Sequence, residues 1–426
     1  MYERLLAGIS DLQQSADGNH NHVMRLIYIT SSFPYGPGEA FVMPELAALQ
    51  ERGHDVLVVP MRPRGGIIHA DAARFLSTTI AAGLLSRSIV RDCLSASSVE
   101  AAATCRVARD FARWSSTPFV KDYAVLPKAL WLARRARLWG ADHIHAFWAS
   151  GPASFALAAS TLSGISWSFT AHRFDIVENR LLTYKATKAQ FVRFISKSGV
   201  RMAGLDAAPL EKKSAVVHLG VELKDRHFAS SSAAVRLLCA ASLIPVKDHF
   251  MLLKAIELLR DRGVNLVLYL AGDGELRPRL EQEVSLHGLN DKVHFLGLLS
   301  HAALMELYTS GVISITVLAS ADLGCGLCEG IPVSLMEAMS CGIPVVATAT
   351  GGIPELLDNG AGWMVPARDP QALSDALQLL VQNPQLRQAL GRAGQERVRC
   401  DFSASQVAQR LEELFAASTT AFSSHS

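Results

Sequence analysis

Short apolar runs alternate with helix-length segments along nearly the whole chain, and this alternation restricts the possible folds more than any single motif. In MRLIYITSSFPYGPGEAFVMPELAALQERGHDVLVVPMR, an apolar strand over Leu26–Thr30 leads through a Pro/Gly loop into a helix that stops at Gly53, then a strand over Val56–Pro60. That order is a βαβ unit. Residues 66–140 read as alanine-rich helix, and strands resume in HIHAFWA, SWSFTAHRFDI and QFVRFISKS. Strands alternating with helices pair in parallel, and the sheet must be covered on both faces.

The pattern restarts after ASSSAA (229–234), a small-residue stretch suited to a linker. VRLLCAAS, NLVLYLAGDGE, KVHFLG, ISITVLAS and IPVVAT read as strands with helices between them, and two more helices close the chain. A length of 426 residues exceeds one ordinary core. The expected fold class is α/β, with two doubly wound, Rossmann-like parallel-sheet domains facing across a cleft, and ligands at the carboxyl ends of the strands. The expected divisions are a flexible segment 1–22, a first domain 23–217, a linker 218–234, a second domain 235–402, a helix 403–418 packing back on the first domain, and a disordered tail 419–426.

Composition excludes several classes. Half the residues are hydrophobic and 19% are charged, as in a globular protein. No apolar stretch reaches the roughly 20 residues of a spanning helix, and the start lacks a basic region followed by an apolar block. Seven scattered cysteines suggest reduced thiols and a cytoplasmic setting. Cys325 and Cys328 form a lone C-x-x-C without the second pair that zinc needs, so no metal site is expected. Residues 1–200 carry 22 Lys+Arg against 15 Asp+Glu (+7) and residues 201–426 carry 19 against 24 (−5), which sum to the net +2. The basic half is expected either to face something anionic or to be ordinary solvated surface; nucleic acid is not an expected partner.

The chemistry concentrates in CEGIPVSLMEAMSCGIPVVATATGGIPELL (328–357). Pro332 suits a first helical position, so a helix is expected from about Pro332 to Ser340, preceded by Gly330 and Ile331. The N–H groups of its first turn form an anion site. Glu329 lies just before it and Glu337 about one and a half turns in. Glu337 is expected either to accept hydrogen bonds from two ribose hydroxyls or to pair with an arginine.

The whole stretch, with both glutamates, EAM-x-x-G-x-PVVAT and GG-x-PEL, resembles the signature of retaining glycosyltransferases of family 4, which have the GT-B fold. SLIPVKDH, LAGDGELRPRLE and VHFLG resemble donor-domain landmarks, and GEAFVMPELAALQERGHDV, HIHAFWA and FTAHRFDI resemble those of the acceptor domain. The resemblance implies that Glu329 contacts the transferred sugar, that Glu337 binds the ribose, that Lys247 binds the donor diphosphate, and that His172 reaches towards the donor sugar. Gly274, Arg277, Gly330, Ile331, Leu298 and Ser242 fall on the donor side, Ser242 standing where relatives have an arginine. Arg277 or Arg173 is expected to compensate for that missing charge. Gly36, Gly38, Glu39, His145, Arg173 and Asp175 fall on the acceptor or cleft side; Asp175 is expected either to orient a substrate or to cap a helix, and His145 either to reach the cleft or to pack beneath it. Gly351 and Gly352 open a helix whose N-terminus is expected to face the phosphates, and Glu355 to complement that helix's dipole.

The expected reaction is retaining transfer of a sugar from a nucleoside diphosphate sugar, UDP or GDP, to a glycan or lipid-linked acceptor in exopolysaccharide, capsule or lipopolysaccharide synthesis, without cofactor or metal. Residues 101–137 carry eight basic residues (Arg106, Arg109, Arg113, Lys121, Lys128, Arg134, Arg135, Arg137) with Trp114, Trp131 and Trp139 among or beside them. They are expected either to rest on anionic lipid at the inner face of the cytoplasmic membrane or to cover the sheet. Rival readings are a glycoside hydrolase using the two glutamates, a sugar-nucleotide 2-epimerase and a non-catalytic nucleotide-sugar-binding subunit.

Overall fold

The computed structural model describes residues 23–423 apart from 37, 85, 115–119, 179–180, 205–210, 226–234 and 325. The segment 1–22 and the ASSSAA linker lie outside the described residues.

The chain builds two six-stranded sheets, every adjacent pair parallel. The first sheet holds β1 (Arg25–Thr30), β2 (Asp55–Pro60), β3 (His143–Ala146), β4 (Ser166–Ala171), β5 (Val192–Phe194) and β6 (Ser214–Val216), in the order β2-β1-β3-β4-β5-β6. The second holds β7 (Val235–Ala240), β8 (Leu266–Ala271), β9 (Val293–Gly297), β10 (Ile315–Leu318), β11 (Val345–Thr348) and β12 (Trp363–Val365), in the order β12-β11-β10-β7-β8-β9. The central strands are buried on both faces, β4 and β10 along their whole lengths, because helices cover each sheet on both sides. In each lobe the strand order reverses once, between β1 and β3 and between β7 and β10; a crevice opens there because the connections leave in opposite directions.

Several boundaries differ from expectation. β6 and β12 are three-residue strands that the apolar pattern did not mark, and three helices rather than two close the chain: Pro370–Gln382, Pro384–Asp401 and Ala404–Ser423. The last runs five residues into the expected tail. It lies on the first lobe, where the Phe415 ring packs 5.1 Å from His143, 5.5 Å from His145 and 5.7 Å from Phe191, and Glu412 accepts from Arg52 Nε at 2.6 Å. Two segments cross between the lobes side by side, since Val221 N–H donates to Phe402 O and Ala404 N–H to Val221 O, both at 2.9 Å.

The stretch 101–137 is less cationic than its composition suggests. Lys128 is wholly buried and donates to the carbonyls of Pro60, Met61 and Ala82 at 2.6–2.9 Å, and burial pushes its ammonium down to about 7. Arg134, Arg135 and Arg137 pair with Asp92 and Glu100, acids just upstream of the counted window. Trp131 is buried in the core of the first lobe. Arg106, Arg109 and Arg113 remain exposed along one face of the helix Ser98–Trp114. Among the described residues no helix is long and apolar enough to cross a membrane.

Candidate functional site

Both reversal points are closed by a side-chain bond. In the first lobe, Glu39 from the loop after β1 accepts from Trp148 Nε1 of the loop after β3 at 2.5 Å. In the second, Lys247 from the turn after β7 donates to Glu329 from the loop after β10. Sequence order scatters these residues; parallel topology brings each pair to one sheet edge.

The second pair is firmly built. Pro245–Lys247 forms a single 3₁₀ turn, and Asp248 caps the following helix by accepting from Met251 N–H. Ala321 N–H donates to Val246 O at 2.9 Å, which ties the two loops together. Ser320 Oγ donates to Glu329 Oε2 at 2.9 Å, so the carboxylate holds an ammonium and a hydroxyl. The GG pair serves this loop. A Cβ on Gly351 would stand 1.8 Å from Glu329 O, and one on Gly352 2.8 Å from Gly330 O, so the glycines are required by backbone contact. The helix they open, Ile353–Leu356, has four residues and Gly352 as its N-terminal cap.

Glu337 lies on the helix Val333–Ser340, which starts one residue later than expected because Pro332 keeps an extended ψ of 118° and acts as the cap. Its carboxylate accepts from His301 Nε2 at 2.9 Å; the partner is a histidine, where an arginine had been the alternative. That bond raises the His301 pKa; burial opposes it, and the charges of Glu337, Asp71 and Glu222 add to it. Tyr308 Oη donates to Ser334 O at 3.0 Å and fixes the two helices together. His301, Val333 and Glu337 line a cavity of about 580 Å³ between the lobes, opposite Gly38, Phe41, Asp71 and Arg74, with Glu222 and Lys224 of the crossing segment at its side. His301 follows Ser300, the helix cap, and the serine–histidine start of that helix was the available signal. Asp71 and Arg74 sit in a 3₁₀ stretch, Ala70–Thr78, within a segment read only as helical.

His172 directly follows β4 and is 5% exposed. Its ring lies 4.2 Å from Trp148, 5.0 Å from Phe147 and 5.9 Å from Phe41. Burial pushes its pKa down to about 3, so it is neutral near pH 7. Nε2 is 2.9 Å from Phe147 O, and a carbonyl only accepts; the proton is on Nε2, and Nδ1 keeps its lone pair. Asp175 accepts from His172 N–H at 2.8 Å and Ala149 N–H at 2.6 Å, which decides for capping and positioning. Burial raises its carboxyl to about 7, against those bonds and the charge of Lys185.

Other candidates fall elsewhere. His145 is fully buried under Phe415 and bonded to Ser168 and Thr170, so it packs beneath the site and does not reach the cleft. Glu39 turns inward, where it accepts the N–H groups of Ser31, Ser32 and Phe33 besides Trp148, and holds the first loop. Gly36 donates its N–H to Gly66 O, and Gly38 lines the cavity. Neither arginine expected to offset Ser242 is uncommitted: Arg277 is held by Asp273 and Glu281, and Arg173 donates to Gly326 O across the lobes. Ser242 is exposed. Leu298 is 83% exposed and its neighbour Leu299 lines the cavity instead. Ile331 is buried, and Gly274 abuts Leu243 O, where a Cβ would come within 2.5 Å; both shape the loop by packing. Among the described residues no three His, Cys, Asp or Glu side chains gather as metal ligands. Cys325 lies outside the described residues, and Cys328 is a buried free thiol.

Comparison with known proteins bears on this arrangement. Residues 224–397 match the family described as glycosyl transferases group 1. A protein of Salmonella typhimurium provisionally named a colanic acid biosynthesis glycosyltransferase is 27% identical over 92% of this chain and 99% of its own length. An amylovoran biosynthesis glycosyltransferase of Erwinia amylovora is 30% identical over 48% of this chain and 51% of its own. The Anabaena protein HepE, solved with UDP and glucose, superposes with a TM-score of 0.65 over 92% of this chain and all of that one, at 17% identity.

Proposed function

From a chain that carries a glycosyl transferase group 1 domain over residues 224–397 in a GT-B fold, we propose a retaining enzyme that moves a sugar from a nucleoside diphosphate sugar to a glycan or lipid-linked acceptor. The observation that carries this reading is the Lys247–Glu329 pair at the second reversal point, with Glu337 facing a cavity between the lobes. A cation and a carboxylate in contact suit a ligand that is anionic at one end and hydroxylated at the other. The names of the relatives above support polysaccharide assembly as the setting.

Glu337 accepts the two ribose hydroxyls, and UDP or GDP is the favoured nucleotide. The diphosphate draws the Lys247 ammonium to its oxygens, and Glu329 turns its freed lone pairs to the sugar hydroxyls. Nδ1 of neutral His172 accepts a hydrogen bond from the sugar side. The anomeric carbon–phosphate oxygen bond breaks, the departing oxygen takes the acceptor's proton, and the acceptor oxygen bonds on the same face. The protein supplies placement and fixed charge. Lys247 provides the positive charge at the leaving group, so turnover is expected to survive chelation.

The acceptor is brought from a membrane surface by Arg106, Arg109 and Arg113 with Trp114, which is 54% exposed. Cosedimentation with anionic but not neutral vesicles is the expected result. The deciding experiment is a thermal-shift panel of nucleoside diphosphates and their sugar conjugates, followed by transfer with the stabilising donor and determination of the product's anomeric configuration. Inverted product, or release of free sugar alone with every acceptor, overturns the reading.

A further inference from the structure

Glu355 sits in the first turn of its helix, where it was expected to complement the dipole, but its contacts reach beyond that helix. It belongs to the second lobe, yet its carboxylate accepts the Lys197 N–H of the first lobe at 2.8 and 3.1 Å and His218 Nε2 at 2.9 Å. His218 lies at the entry to the crossing segment, with its ring 4.3 Å from Phe402 of the other crossing. The Glu355 and His218 side chains are 10% and 9% exposed. Burial works against ionisation of Glu355, but bonds from His218 and the Lys197 N–H hold its pKa below the usual glutamate value.

On the other side Glu355 is part of the Glu329 block. Arg397 donates to Glu355 O at 3.0 Å and to Leu356 O at 3.4 Å, which fastens the short helix from behind. Gly352 N–H donates to Glu329 O at 3.2 Å, and Gly351 is pressed against the same peptide. Thr350 Oγ1 donates to Ser320 O, and Ser320 Oγ to the Glu329 carboxylate. A second tie flanks the first: Arg173, next to His172, donates to Gly326 O, and a Cβ on Gly326 would stand 3.0 Å from Val177 of the first lobe.

We infer that Glu355 is a positioning residue that fixes the first lobe to the loop carrying Glu329, and so sets how His172 on one lobe faces Glu329 and Lys247 on the other. Its carboxylate never meets substrate; it acts by joining two rigid bodies. The activity arm of the test rests on the transfer reading above, whereas the shape arm does not.

The test compares full-length wild type, Glu355→Ala, Glu355→Gln and His218→Ala. The Gln amide oxygen still accepts the Lys197 N–H and its NH₂ can donate to His218, so Glu355→Gln retains the tie and Glu355→Ala abolishes it. In small-angle scattering, Glu355→Ala and His218→Ala are expected to give a larger radius of gyration than wild type and Glu355→Gln. In transfer assays, Glu355→Ala loses about tenfold or more in kcat, the scale of a misplaced reacting group, while UDP or GDP binding stays within about twofold because the nucleotide contacts proposed above, Lys247 and Glu337, both belong to the second lobe. Glu355→Gln recovers most of the loss. If Glu355→Ala does not fold, His218→Ala supplies the same readings. Wild-type radius and wild-type kcat in the alanine variants overturn the inference, as does a Gln variant as impaired as the Ala variant. If wild type itself transfers nothing, the radius of gyration still decides.

Discussion

Lys247 donates to the Glu329 carboxylate although 82 residues separate them, because β7 and β10 are neighbours in the second sheet and their loops leave the same edge. Their side chains are 17% and 12% exposed, so the pair is screened only weakly by solvent. Each group offsets part of the other's cost of leaving water, and in the proposed reaction the donor diphosphate competes with Glu329 for the ammonium.

Breaking the pair should therefore harm catalysis more than folding. Lys247→Ala and Glu329→Gln are each expected to lower kcat by about 10²-fold or more, the loss of one transition-state contact. Initial rates at saturating donor check this, and near-wild-type rates in both would remove these residues from the mechanism.

Gly351→Ala should disrupt the same loop from behind. Its φ is +56°, and the added Cβ would meet Glu329 O at 1.8 Å, with no flexible neighbour to yield. A loss of about 2 kcal/mol or more in denaturant unfolding is expected, with turnover abolished. Gly330→Ala, where nothing stands within 4 Å, serves as the control and should leave stability nearly unchanged.

His301 should report on Glu337 through pH. Its folded pKa is raised by the Glu337 bond, so its stabilising effect is full below the unfolded value and fades as pH rises through the folded one. The melting-temperature advantage of wild type over His301→Asn is thus expected to be larger near about pH 6 than near about pH 9. A pH-independent difference would show that the pair is not ionic.

Lys128 tests a purely structural role. Replacing it with methionine keeps length and volume but leaves the carbonyls of Pro60, Met61 and Ala82 without their common donor. Unfolding free energy should fall by about 3 kcal/mol, the cost of stranding buried acceptors. Cosedimentation with anionic vesicles, the test of the membrane contact proposed for Arg106, Arg109 and Arg113, should give the same result as for wild type, which separates the buried lysine from the exposed arginines.

Local pattern carried the fold far. Alternating apolar runs located ten of the twelve strands; β6 and β12 escaped because their three residues stand between Lys213 and His218 and between Gly362 and Pro366, whereas the equally short β5 lies inside the longer apolar run QFVRFIS. FTAHRFD placed His172 at a strand end, and EGIPVSLMEAM placed Glu329 and Glu337 around a helix start. Long-range partners were not legible. The partners of Arg134 and Arg135 are not neighbours in sequence, because Asp92 and Glu100 come from other helices. His145 looked able to face a cleft because a strand residue points to one face or the other, and Phe415, 270 residues later, covers that face.

By itself the amino-acid order determined two parallel sheets, the helices on them, and which loops carry charge beside glycine and proline, since backbone preference and apolar period act over a few residues. Only the folded arrangement decided that Lys247 meets Glu329, that His301 meets Glu337, and that Glu355 reaches Lys197 and His218. Those choices depend on strand order and lobe packing, which bring together groups tens to hundreds of residues apart, and a carboxylate's partner is set by whatever donor stands nearest in space.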